Sequence, residues 1–279
     1  MPHQISFVDN SSGLAHYAML AAIHSFATAN GWQALRYDTS AADQQLILKG
    51  PGYTGTEEIF IGFRTYQNAN ADYYNLLAGV FTGYVPANSF DTQPGAVLSG
   101  VPAHNQRIDY WLTLNPQRIA LAMKVGTPVY EHAYVGKMLP YARPSQYPYP
   151  VVCGGALNGA AATRFSDTAH MSYIWGNRAN MRLRTNDGWM QPHCYPWSDA
   201  FIAGAAVNMR DTAGLYLLPP VELHDNAANV WGALDGIFYI TGFDNAVENT
   251  LTLGGVNYVV FQDVWRTAHN AYYAMRLDN

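Results

Sequence analysis

The run Ile108-Asp109-Tyr110-Trp111-Leu112-Thr113-Leu114-Asn115-Pro116-Gln117-Arg118-Ile119-Ala120-Leu121-Ala122-Met123-Lys124-Val125 decides the fold class. Its first part alternates, so Ile108, Tyr110, Leu112 and Leu114 share one face of an extended strand. Asn115-Pro116 then turns the chain, and Arg118 to Val125 returns as a second apolar strand. The two read as an antiparallel hairpin. Val129 to Leu139 continues as a further strand.

Towards the N-terminus, Ser12 to Asn30 reads as a helix. Ser11 or Ser12 is placed to accept from the free N–H groups at its start, Leu14, Tyr17, Ala18, Ala21 and His24 keep one face, and Gly31 supplies a left-handed stop. Three strands follow, at Trp32–Tyr37, Gln45–Lys49 and Glu58–Phe63, with Pro51-Gly52 and Gly55 turning the chain between the last two. Residues 67–107 are broken by Asn68, Asn70, Asn75, Asn88, Pro86, Pro94 and several glycines, and are expected to form a long irregular excursion.

Beyond the hairpin, Leu139 to Pro150 holds four prolines and three tyrosines. Proline fixes φ and holds its predecessor extended, so this is an extended arm with little entropy to lose on docking. It runs either along its own subunit or against a neighbour. Asn180–Thr185 and Trp189-Met190 read as a hairpin around Asn186-Asp187-Gly188, with Asp-Gly supplying positive φ. Ser198–Arg210 is Ala-rich, a short helix or a loop. Gly214–Leu223, Ile237–Ile240, Thr250–Leu253, Tyr258–Phe261 and Tyr272–Leu277 are strand-like, with Gly254-Gly255 joining two of them. The expected fold is α+β and mostly β: an N-terminal helix packed on antiparallel strands, then a β-rich, sandwich-like body with long irregular loops. The expected division is 1–139, an arm at 140–155, and 156–279, or one continuous domain.

Composition narrows the function. The chain has 279 residues, 15 basic and 20 acidic, and only 13 % are charged against 14 % aromatic. Ordinary domains carry about 25 % charged residues, so something other than charge covers this surface. The apolar content excludes a disordered chain. The acidic balance argues against direct nucleic-acid binding, which needs a basic stripe to displace counterions. Lys49, Lys124 and Lys137 are the only lysines. A Tyr-, Trp- and Arg-rich, Lys-poor composition resembles a protein–protein interface core. Cys153 and Cys194 are too few for a disulfide framework and are expected to be reduced packing thiols. The N-terminal residues lack a signal-peptide pattern, and no run reaches the roughly 18 apolar residues of a membrane span. The expected product is soluble, made in the cytosol and free of membrane insertion.

Catalytic patterns are absent. Adjacent pairs such as Glu131-His132, His193-Cys194 and His224-Asp225 point to opposite faces of a strand and would not chelate one ion, so no metal or cofactor is expected. There is no nucleophile elbow around Ser99 and no phosphate loop at Gly50–Gly55. Asp235, Asp244, Glu248 and Asp263 are glycosidase candidates in one strand-rich region, but nothing selects a pair.

At Tyr130–Gly136 and Leu139–Pro150, and again at Gly232–Tyr239, Val259–Thr267 and Ala274–Asp278, the sequence resembles virion structural proteins of tailed bacteriophages, of the kind assigned to the tail, baseplate or neck. The resemblance implies a non-catalytic subunit that builds rings or collars with copies of itself and other virion proteins, made in the host cytoplasm and residing in the virion. It carries no catalytic residues over. Tyr141, Arg143, Tyr147 and Tyr149 of the arm are the expected interface residues, more buried in the assembly than in the isolated subunit. The alternative is a receptor-binding protein or tail-associated glycan hydrolase that stacks exposed Tyr and Trp on a host surface glycan.

Overall fold

The computed structural model describes residues 2–141, 150–174, 180–198, 209–227 and 229–277, and strands are numbered along the chain. The decisive hairpin lies in a seven-stranded sheet whose order is β1 (His3–Val8), β7 (Ile108–Asn115), β8 (Arg118–Lys124), β9 (Tyr130–Lys137), β11 (Val151–Gly154), β13 (Met181–Thr185) and β14 (Gly188–Met190). A second sheet runs β12 (Leu157–Asn158), β6 (Val97–Val101), β5 (Tyr73–Phe81), β4 (Ile59–Asn68), β3 (Gln45–Gly50) and β2 (Gln33–Asp38). A third runs β15 (His193–Tyr195), β16 (Pro220–His224), β17 (Val230–Tyr239), β20 (Tyr272–Leu277), β19 (Val256–Gln262) and β18 (Thr250–Leu253), with β10 (Leu139–Pro140) also paired to β17. The named strand pairs are antiparallel, and the chain is mostly β with one α-helix on antiparallel sheets, as the sequence implies.

Alternation along β7 and β8 orders the three sheets. Ile108, Tyr110, Leu112, Leu114, Ile119, Leu121 and Met123 form one core with the second sheet's Leu46, Leu48, Ile61, Phe63, Leu76 and Val80. Trp111, Ala120 and Ala122 point the other way, into a core with Leu223, Ile237, Val259, Phe261 and Tyr273 of the third sheet. The first sheet is therefore the middle of a three-layer stack, its central strands β7, β8 and β9 buried on both faces.

Helix α1 (Ala15–Ala29) lies in the core between the first two sheets. Its buried face is Ala15, His16, Met19, Leu20, Ile23 and Ala27, not the expected Leu14-Tyr17-Ala18-Ala21-His24 stripe, because Met19, Leu20 and Ile23 carry more apolar area. Neither serine caps it. Ser11 is turned back onto Asp9, and the free N–H of Ala15 donates to Asn105 Oδ1 at 3.0 Å, a cap from far along the chain. The stop is as expected: Gly31 has φ +89°, and Trp32 N–H reaches back to the Ala27 carbonyl.

Residues 67–107 are not an irregular excursion. They hold β5 and β6, and Asn75 to Phe81 is buried throughout, so no polar face exists to produce alternation. Asn75 survives there because Nδ2 donates to the Thr163 carbonyl while Oδ1 accepts from Ala103 N–H. The hairpin of β13 and β14 closes with Thr185 opposite Gly188, and Gly188 at φ +119° carries the positive φ without Asp187. Gly254 and Gly255 at φ +58° and +80° turn β18 into β19. Ser198 is described as a turn, and most of the Ala-rich segment after it lies outside the described residues.

Candidate functional site

Tyr141 is the expected interface residue that falls within the described chain. β10 lays Leu139 opposite Ala233 and Pro140 opposite Gly232, and Tyr141 N–H donates to the Trp231 carbonyl at 3.1 Å. Gly232 permits this approach, since a Cβ there would stand 2.2 Å from the Leu139 carbonyl oxygen. The Tyr141 hydroxyl donates to Glu222 Oε1 on β16 at 2.7 Å, tying the ring across β17. Partial burial and the Glu222 charge push the phenol up to about 12, so it stays a donor at neutral pH. The side chain is nevertheless 55 % exposed, and Leu139 at 41 % and Val230 at 50 % lie open at the same margin. Arg143, Tyr147 and Tyr149 lie outside the described residues.

A second open margin is β1, which sequence reading missed. Ile5 stands opposite Trp111 and Phe7 opposite Asp109, at 52 % and 49 % exposure. Arg107 places its guanidinium 3.9 Å from the Phe7 ring centre while its Nε and Nη2 donate to Asp109 Oδ1. Ile5, Phe7, Trp111, Lys124 and Glu248 line a shallow cavity of about 310 Å³. The signal available in the sequence was His3-Gln4-Ile5-Ser6-Phe7-Val8 itself, an alternating run too short and too near the terminus to stand out.

The interior holds two polar clusters. Asp235 on β17 is buried against the middle sheet, where its Oδ2 accepts from Asn115 Nδ2 at 2.6 Å, Tyr53 hydroxyl at 3.0 Å and Gln117 Nε2 at 3.2 Å. Its Oδ1 accepts from Arg276 at 3.1 Å. Asn115 earns its place in the decisive turn here, since its Oδ1 also accepts from the backbone N–H groups of Gln117 and Arg118. Arg118, fully buried, donates to Thr113 Oγ1 at 2.7 Å and packs on Gly236, where a Cβ would lie 2.4 Å from its Nη2.

The other cluster sits at the opposite end of β9. Glu131 Oε1 meets His170 Nε2 at 2.5 Å, both side chains sealed from solvent. Nearby, Asp263 accepts from Ser172 N–H at 2.6 Å and pairs with Arg266 at 3.1 Å. Burial drives the Glu131 carboxyl up, with His170 opposing. Burial lowers His170, but the Glu131 hydrogen bond and charge outweigh it and raise it. Glu131 Oε2, His170 Nδ1 and Ser172 Oγ have no hydrogen-bond partner, unlike the Asp235 carboxylate. The next residue after Asp263, Val264, has φ +54°, an unfavourable backbone for a β-branched side chain. His132 points to the other face: its Nε2 donates to the Gln262 carbonyl, so the neutral ring's Nδ1 accepts from the Tyr273 hydroxyl.

Of the four acids picked out in the sequence, Asp235 and Asp263 are buried in separate ion pairs, while Asp244 and Glu248 pair with Arg210 and Lys124 nearer the surface. Glu131, weighed in the sequence only beside His132 as a metal pair, was readable as a carboxylate inside an apolar strand. Among the described residues no three His, Cys, Asp or Glu side chains converge to hold a metal ion. Both thiols are buried and pushed up to about 12 by burial, and they pack against the Ala78 and Tyr173 carbonyls. No helix among the described residues is long and apolar enough to cross a membrane. No protein-family model matches the chain, and no curated protein matches it either.

Proposed function

We propose that the chain is a non-catalytic structural subunit of a tailed-phage virion, building with copies of itself and other virion proteins into a tail, baseplate or collar ring. The observation that supports this most is the Leu139-Tyr141-Val230 margin. Three large side chains stay open to water there, at the start of the Pro/Tyr arm, and Tyr141 is held ready by Glu222. Tyrosine on a fixed rotamer contributes contact area with little entropy left to lose. The buried ions give no competing chemistry at the surface, because Glu131 and Asp235 are sealed and tied to partners.

Electron microscopy of the assembled particle tests this. Leu139, Tyr141 and Val230 are expected against another chain, and a particle in which all three remain wet overturns the reading.

One observation favours a second reading, glycan binding. A cleft of about 550 Å³ is lined by Tyr74, Phe165, His104, Asp72 and Arg164, aromatic faces beside polar groups. Asp72 is tied to Arg164 there, and the lining offers no second carboxylate for hydrolysis. Glycan-array binding lost in Tyr74→Ala would establish this reading, and an array with no bound glycan would remove it.

A further inference from the structure

We propose that β1 docks on β1 of a second copy, the two strands pairing antiparallel about a two-fold axis so that the two middle sheets become one. Among the described strands the other sheet edges are guarded. β12, β14 and β15 span two or three residues, β18 spans four, and β2 carries Arg36, Asp38 and a register shift between Ala34 and Arg36. β1 has six residues with no charge and no proline, and Ile5, Ser6 and Phe7 are all exposed. Short length, charge and bulges are how proteins blunt an edge, and β1 has none of them.

The free hydrogen-bonding groups can be assigned. Leu114 N–H donates to the Pro2 carbonyl, so Pro2, Gln4, Ser6 and Val8 turn their backbone groups inward to β7. The N–H and C=O of Ile5 and Phe7 therefore face outward. A partner ladder must pair these outward residues with outward residues, which keeps Ile5 and Phe7 of both copies on one face.

Two registers satisfy this with substantial overlap. Centring on Ile5 sets Phe7 against His3 of the second copy. Centring on Ser6 sets Phe7 against Ile5 twice, an aromatic and β-branched pair, and sets Asp9 against His3 at each end. Apolar pairing selects the Ser6-centred register. It closes by an isologous contact and covers Ile5 and Phe7, the apolar side chains that β1 leaves open.

Ser6 then faces its own copy in a non-hydrogen-bonded pair, with Cα atoms about 4.5 Å apart, within disulfide range. The inference stands on a different observation from the virion reading. The test is sedimentation equilibrium of the full chain together with mild oxidation of Ser6→Cys, both native thiols being buried. The expected results are a dimer for the parent chain and for Phe7→Leu, a monomer for Phe7→Lys with unchanged circular dichroism, and a disulfide-linked dimer for Ser6→Cys but not Gln4→Cys. A parent chain that stays monomeric, a dimer that survives Phe7→Lys, or a dimer in which Ser6→Cys fails to link overturns the proposal. A monomer whose Tyr141 is still covered in the particle removes the β1 pairing alone, and a dimer whose Tyr141 stays wet in the particle removes the virion reading alone.

Discussion

The seam between the middle and third sheets and the margin at β1 and β10 reverse the usual arrangement. The seam hides Asp235, Arg118 and, more shallowly, Arg276, while the margin leaves Ile5, Phe7, Leu139, Tyr141 and Val230 in water. Globular domains ordinarily bury the second set and expose the first. The difference teaches where the scarce charge went. With 13 % charged residues, several are spent inside the stack, so the surface is poorer in charge than the composition suggests. The buried ions are held by dense hydrogen bonding, while the margin keeps large apolar area in water even where Phe7 stacks on Arg107 and Tyr141 bonds Glu222.

The comparison breaks most visibly at Asp235. Asp235→Ala leaves Asn115, Gln117 and Tyr53 without their acceptor and Arg276 without its counter-ion, and is expected to cost about 3–5 kcal/mol in urea unfolding. A loss under about 1 kcal/mol would mean that the seam is not an integrated network.

The two faces of β9 at Glu131 and His132 sharpen the contrast through pH. His132 is lowered to about 3 and His16 to about 4, both by burial, so each is neutral in the fold while the unfolded chain takes up protons below the ordinary histidine value. Their contribution is full above the unfolded value and is lost as pH falls towards 4. Glu131, His170 and Asp263 shift the other way, upward, so their contribution is present in mild acid and is lost as pH rises through their folded values. In urea midpoints measured from pH 4 to 8, Glu131→Gln should flatten the loss on the alkaline side and His132→Gln the loss on the acid side. Parallel profiles for both variants and the parent would contradict these assignments.

The smallest effect on stability is expected at the margin. Tyr141→Phe removes one exposed hydrogen bond to Glu222 and should change stability by no more than about 0.5 kcal/mol. Tyr141→Lys should be equally mild in the isolated chain yet prevent its incorporation into particles, read by gel analysis of purified particles. Normal incorporation of Tyr141→Lys would make this margin ordinary surface.

Much of the layered fold was legible because strands with one distinctive face announce themselves. Ile108, Tyr110, Leu112 and Leu114 alternate and do share a core. β5 was not legible, since Asn75 to Phe81 is buried on both faces and its asparagine reads as loop until Thr163 and Ala103 are seen to satisfy it. The helix cap failed for a similar reason: Asn105 supplies it from far along the chain, beyond any local pattern. Tyr141 was singled out only because prolines and tyrosines cluster around it. Glu131 and His170 are separated by 39 positions, and only the fold brings them together.

Hydrogen exchange on the peptide His3–Val8, compared between isolated and assembled chain, tests most directly whether the uncovered margin is a contact surface. In the isolated chain the outward amides of Ile5 and Phe7 should exchange rapidly while the ladder amides of Gln4, Ser6 and Val8 are protected. Assembly should protect both sets. Unchanged, rapid exchange of the outward set in the assembled form would contradict the account.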